Sequence, residues 1–229
     1  MIWRLLGGLR GEVSDTDMSM LMVEFAAIAV VMFLCLPVHE YAHGWAAKKL
    51  GDDTAWMHGR LTLNPAKHLD LVGTLMLLFV GFGYAKPVPV NPRNFKNYKK
   101  SMALTAAAGP LSNLIMAVIF CVISNFMWFF LPGEPGDAFL LLDVFITTLF
   151  YANVALMVFN LIPFPPLDGS RILDLILPYK ASRFLAQYEH ILRWAVFILI
   201  FFNGPISWLS GLAAYAIEAV VGFPFGLIM

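Results

Sequence analysis

Two apolar stretches, Met102–Leu131 and Ala138–Ile162, lie either side of a short turn, and each is long enough to cross a bilayer. A span needs about 20 apolar residues to cover roughly 30 Å of hydrocarbon. No water reaches a backbone amide there, so such stretches must be helical. The connection, Pro132-Gly133-Glu134-Pro135-Gly136-Asp137, is a helix-breaking turn. An earlier run, from about Met18 to Leu50, is apolar as far as Leu36 and then carries polar residues at helical spacing. Leu69–Phe82 is too short to span and contains Gly73 and Gly81, which suits a re-entrant or interfacial segment. The last run, Ile191–Val221, is interrupted by Asn203-Gly204-Pro205 and reads as one kinked helix or as two segments.

Composition agrees. Of 229 residues, 60% are hydrophobic and 13% charged, against roughly 45–50% and about 25% in soluble domains. A soluble globule has too little interior to hide that much apolar side chain. A soluble enzyme, a disordered chain and a disulfide scaffold are therefore excluded. Fifteen basic and fifteen acidic residues cancel, so nothing in the charge favours nucleic acid. Cys35 and Cys121 sit inside apolar runs and read as packing residues. The expectation is an all-α polytopic membrane protein of about four to six membrane segments, including the short re-entrant or interfacial one. Residues 54–64, with Trp56, Met57, Leu61, Thr62 and Leu63, add a small strand-like region after the first helix. Residues 1–229 read as a single membrane-embedded domain: an N-terminal segment 1–17, a core 18–174 and C-terminal membrane segments 175–229.

Basic residues orient the segments. Lys48, Lys49, Arg60 and Lys67 precede the short apolar stretch, and Lys86, Arg93, Lys96, Lys99 and Lys100 follow it. Both flanks are expected in the cytoplasm. The 132–137 turn is then external, Lys180, Arg183 and Arg193 return inside, and the N-terminus is read as external. No cleavage signal is evident at the end of the first run, which reads as a retained anchor. The expected location is the cell membrane.

The strongest chemical signal is His39-Glu40-Tyr41-Ala42-His43. Residues i and i+4 share a helix face, so both imidazoles reach one ion, with Glu40 beside its bound water. Zinc suits imidazole and carboxylate donors and lowers the pKa of its water towards about 7. Glu40 would then take that proton as general base. Ionisable residues within an apolar segment are costly and mark function.

A catalytic zinc needs a third protein ligand. His68 and Asp70 lie at a loop border, where solvated polar residues are ordinary. Asp168, in Asn160-Leu-Ile-Pro-Phe-Pro-Pro-Leu-Asp168-Gly169, is the better candidate. The loop charges place it at the same depth as His39 and His43. The bland reading of Asp168 is a turn residue before Gly169. His58 and His190 lie in or near polar connections and read as solvated. In Gly109-Pro110-Leu111-Ser112-Asn113, Gly109 permits close helix approach, and Asn113 serves either helix packing or a substrate contact.

Together, H-E-x-x-H in an apolar helix and the later N-x-x-P-x-P-P-L-D-G resemble the site-2 protease family of intramembrane zinc metalloproteases. Gly109–Asn113, Arg60-Leu-Thr-Leu-Asn64-Pro65 and Pro87-Val-Pro-Val-Asn91-Pro92 support the resemblance, which runs from about Leu36 to Asp174. It implies that His39, His43 and Asp168 hold one Zn2+ per chain and that Glu40 activates water. It makes Asn160 a polar partner for the substrate peptide or the developing oxyanion. The implied substrates are membrane proteins with a transmembrane segment, with the lipid bilayer as surroundings. By analogy with other peptidases, the strand-like 54–64 region would offer an edge to an unwound substrate. Unlike larger members, the chain lacks room for a PDZ module and has no separate span before the H-E-x-x-H helix. The competing class is a membrane zinc transporter or metal sensor using the same His/Asp cluster. A binding protein that keeps the fold without activity is a third reading, against which the intact His39, Glu40, His43 and Asp168 set argues.

Overall fold

The computed structural model describes residues 15–80, 85–131, 133–201 and 204–226. Most of the expected N-terminal segment, part of the short apolar stretch, Pro132 of the turn and Asn203 of the C-terminal interruption lie outside them. Helix α1 (Asp15–Val30), a π-helical turn (Val31–Cys35) and α2 (Leu36–Lys49) follow one another without a break. Within them Met18–Lys49 is long and apolar enough to cross a membrane. A π turn adds a residue to the helical ladder and turns the helix face that follows it. Here it stands one turn ahead of His39.

The end of α2 is written locally. Gly51 adopts φ +107°, a left-handed conformation that glycine takes without steric penalty. The Gly51 N–H donates to Lys48 O (3.2 Å) and the Asp52 N–H to Ala47 O (2.9 Å). This Schellman closure satisfies the last carbonyls and turns the fully buried Asp52 inward. Asp52 Oδ1 then accepts from the Thr54 N–H and hydroxyl, starting the short helix α3 (Thr54–Met57). The strand expected over residues 54–64 is therefore corrected. Its first part is α3, and the described residues contain one isolated antiparallel bridge, Leu69 with Ala85, and no strand. Side-chain bonds to the local backbone override a short alternating pattern. The edge expected to receive substrate at 54–64 is absent with it.

Helix α4 (Leu71–Val80) occupies the short apolar stretch. Asp70 caps it, its Oδ1 accepting from Val72 N and Gly73 N at 3.0 Å each. The Leu69–Ala85 bridge and the Lys86 N–H to His68 O bond (2.7 Å) bring the two flanks of this stretch together. The two flanks of a stretch too short to span thus lie side by side.

Three long helices remain. Asn97 caps α5 (Tyr98–Phe129) by accepting from the Lys100 N–H. Helix α6 (Asp137–Leu161) follows the turn, and α10 (Gly204–Gly226) follows α7 (Asp168–Ile176), α8 (Tyr179–Gln187) and α9 (Glu189–Phe201). The C-terminal run is thus two helices, α9 and α10. Helices α5 and α6 qualify by length and hydropathy as spans, and Ile206–Gly222 is a shorter apolar helix. The protein is an all-helical, polytopic membrane protein. At 1.5 Å per residue the 32-residue α5 is about 48 Å long, more than the roughly 30 Å of hydrocarbon a span must cover. It is the central helix, touching α2, α6, α7 and α10, while α1 lies against α6. Val31, Cys35, Ala117, Phe120, Cys121, Leu149, Phe150 and Val154 fill the space between them. Both cysteines are free and buried.

Candidate metal centre

Helix α2 carries His39 and His43 on its inner face, 5% and 9% exposed. Helix α7 brings Asp168 to them from a broken segment of chain. Prolines 163, 165 and 166 stop α6 from continuing, and α7 folds back against α5. The fold-back is tight: a Cβ at Gly169 would lie 2.2 Å from Leu161 O and 2.5 Å from Ile162 O. Only glycine permits that approach. At the other end of α7, Lys99 Nζ donates to Asp174 O (3.0 Å) and Leu177 O (2.9 Å), a cation on a helix C-terminus.

The result is a convergence of three donor atoms. His39 Nε2 and His43 Nε2 lie 3.0 Å apart and 3.4 and 3.3 Å from Asp168 Oδ2. Hydrogen positions follow from the far sides of the rings. His43 Nδ1 lies 2.8 Å from Thr105 O, a carbonyl that only accepts, so Nδ1 carries a proton and the neutral ring has its lone pair on Nε2. His39 Nδ1 is bonded to Asn113 Oδ1 at 2.5 Å, which leaves its Nε2 in the same state. Asp168 Oδ2 is buried and accepts no hydrogen bond. With both rings neutral, three lone-pair donors face one point, an arrangement that calls for a cation between them.

The spacing fits zinc. Bonds of about 2.0–2.2 Å to a tetrahedral ion put ligand atoms about 3.3–3.6 Å apart, near the separations observed. Space is reserved as well: a Cβ at Gly109 would lie 2.4 Å from His43 Nε2 and 2.6 Å from His39 Cε1. The close approach expected of Gly109 is thus to the imidazoles. Proline at 110 removes the amide that would pair with Ala106 O, next to the carbonyl His43 uses. Among the described residues, His39, His43 and Asp168 are the one group of His, Cys, Asp and Glu positioned to share a metal.

Glu40 lies on the same turn of α2. Its Oε2 accepts from the Val88 N–H at 2.8 Å, in a Pro-Val-Pro stretch with no other amide donor on either side. Arg60 Nη2 holds that stretch by donating to Lys86 O (2.7 Å) and Pro87 O (3.2 Å). Asp52 holds its far end: Oδ2 accepts from Asn91 N (2.7 Å) and Oδ1 from Asn94 Nδ2 (2.7 Å). Burial alone raises the Asp52 carboxyl, but the bonds from Thr54, Asn91 and Asn94 outweigh it and hold it below the usual carboxylate range.

Other residues fall elsewhere. Asn113, 1% exposed, contacts His39. Asn160 donates back to Leu156 O (2.9 Å) along its own helix and has no hydrogen bond to the centre. His68, expected to be solvated, is fully buried, with Nε2 on Thr62 O at 2.7 Å. Its loop folds under the return from α4. His58 and His190 are exposed. Asn153, which the sequence did not single out, holds Asn113: its Oδ1 accepts from Asn113 Nδ2 at 3.1 Å. An amide in the middle of the apolar 138–162 run was the signal.

Residues 27–139 and 131–203 match peptidase family M50. YwhC of Bacillus subtilis, which bears the name of a zinc metalloprotease, is 40% identical over 76% of this chain and 79% of its own length. Rip2 of Mycolicibacterium smegmatis, named likewise, is 28% identical over 82% and 75%. Zinc metalloprotease MJ0392 of Methanocaldococcus jannaschii is 26% identical over 68% of this chain and 36% of its own. No solved structure matches. The two-histidine, one-aspartate centre stands in the matched region, and the chain belongs to peptidase family M50, the site-2 protease family of metalloproteases.

Proposed function

We propose that the protein is a multi-pass zinc endopeptidase of the cell membrane that cuts transmembrane segments of other membrane proteins. The supporting observation is the convergence of His39 and His43, on a helix of membrane-spanning length, with Asp168 of α7. His39, His43 and Asp168 would hold one zinc per chain, and that ion would supply a polarised, more acidic water. Residues 18–174 form the catalytic unit on this reading.

The chain's own residues do the rest. Thr105 O and Asn113 Oδ1 hold the imidazole rings with Nε2 inward. Glu40 takes the proton of the attacking water and returns it to the departing amine. A substrate helix pairs its amides internally, so it must unwind before its carbonyl is open to attack. Helix-breaking residues near the cytoplasmic leaflet therefore favour cleavage. The helices packed around the centre shield it from lipid. A zinc transporter needs successive donor groups along a path, and the described residues offer one group.

The test uses purified protein and a transmembrane reporter. Glu40→Gln should keep zinc near one per chain and lower cleavage by about 10²–10⁴-fold. Asp168→Ala should lose both zinc and cleavage. Glu40→Gln turnover within about tenfold of wild type would rule out the general-base role.

A further inference from the structure

Each zinc-facing imidazole is governed by what holds its other nitrogen, and the two histidines are governed differently. His43 ends directly on the carbonyl of Thr105. His39 ends on an amide, and an amide presents an oxygen or a nitrogen according to how it is turned. With Asn113 turned the other way, its NH₂ would face His39 Nδ1 and the ring proton would move to Nε2, the atom aimed at Asp168. Something must set Asn113.

That something is Asn153. It is 0% exposed, and its Nδ2 donates to Leu149 O at 2.8 Å, with Cys35 Sγ also within 3.3 Å. A helix carbonyl only accepts, so Asn153 must present Oδ1 to Asn113. Asn113 must then present Nδ2 to Asn153 and Oδ1 to His39. Polarity passes in one direction from the α6 backbone through two buried amides to a ring nitrogen. The Cys35 contact adds a tie to the π-helical turn preceding His39.

We propose that Asn153 is a positioning residue for the metal centre, which through Asn113 fixes the tautomer and ring orientation of His39. The inference rests on the zinc reading given above. It assigns Asn113 to the metal centre, where the sequence left it between packing and substrate contact.

The experiment is a cycle of variants purified as folded monomer: Asn153→Leu, Asn113→Asp and the two combined. Zinc affinity is read by chelator competition, and ligand geometry by the absorption spectrum of the Co2+-loaded protein. Asn153→Leu should weaken zinc binding by about 10–100-fold and alter the Co2+ bands. In Asn113→Asp the bond to Asn153 Oδ1 is lost, but a carboxylate accepts from His39 Nδ1 whichever way it is turned, so zinc is retained without the relay. On that background Asn153→Leu should change affinity by less than about twofold, because the relay is no longer needed. An equal loss in both backgrounds, or none in either, overturns the proposal. So does failure of both Asn153→Leu and Asn153→Ala to give folded monomer in both backgrounds, which would make Asn153 a packing residue. Should wild-type protein bind zinc but leave the transmembrane reporter intact, the peptidase reading fails while the cycle still decides the relay. Should wild type bind no zinc, both fall.

Discussion

Helix α5 passes two polar clusters, and they are built in opposite ways. In its Thr105–Asn113 turns the Thr105 carbonyl and the buried Asn113 amide hold two imidazoles against a point where one carboxylate oxygen has no donor. Near Cys121–Asn125 the groups line a cavity of ≈ 260 Å³ with Thr147, Phe150 and Glu218. There each carboxylate has a hydrogen-bond donor. Tyr151 donates to Glu218 (3.3 Å), and Ser124 and Trp128 donate to Asp143 (3.1 and 3.0 Å). Both clusters are polar groups among apolar helices, so composition does not tell them apart. The unpaired, buried lone pair does. It marks a place built for something the polypeptide does not itself supply.

The sharpest way to break this contrast is to fill the reserved space. Gly109→Ala puts a methyl where His43 Nε2 and His39 Cε1 now lie, so zinc per folded monomer should fall to near zero and cleavage with it. Elemental analysis after size exclusion reads the outcome; normal zinc content would show that the rings have room to spare.

A smaller effect is expected one layer out. Asp52→Asn removes a buried charge that accepts four hydrogen bonds from residues 54, 91 and 94. It should cost about 1–3 kcal/mol at neutral pH. The Asp52 carboxyl is held below its unfolded-state value of about 3.9, so its contribution is complete above that value. It is lost as pH falls through the lower folded value. Thermal midpoints in detergent should therefore differ between wild type and variant at pH 7 and converge under strong acid. A gap that persists there would assign the effect to shape and not to charge.

The smallest effect belongs to the far cluster. Glu218→Gln keeps the size of the side chain and an oxygen for Tyr151 to donate to. Zinc content and reporter cleavage should stay within about twofold of wild type. A tenfold loss of cleavage would erase the distinction between the two clusters.

Much of the centre was legible in the sequence because its parts are local. The i, i+4 spacing puts His39 and His43 on one face whatever surrounds the helix. The proline run before Asp168 forces a break wherever it falls. The short stretch before Ala85 is too brief to cross a bilayer under any packing. The misreadings were of two kinds. At residues 54–64 a faint alternation lost to the bonds Asp52 makes with Thr54. At His68 the loop-border position suggested solvent, while the folded return from α4 covers the ring.

Sequence alone determined that the chain is helical and membrane-embedded and carries a histidine pair with a glutamate beside them. Those properties follow from hydrocarbon thickness and helical periodicity, which act within a single segment. Tertiary structure decided that Asp168 meets the histidines, that Gly109 leaves them room, and that Asn153 orients Asn113. These are contacts between residues far apart in the chain. Their geometry depends on how α2, α5, α6 and α7 pack, and no pattern within one helix encodes the partner it will face.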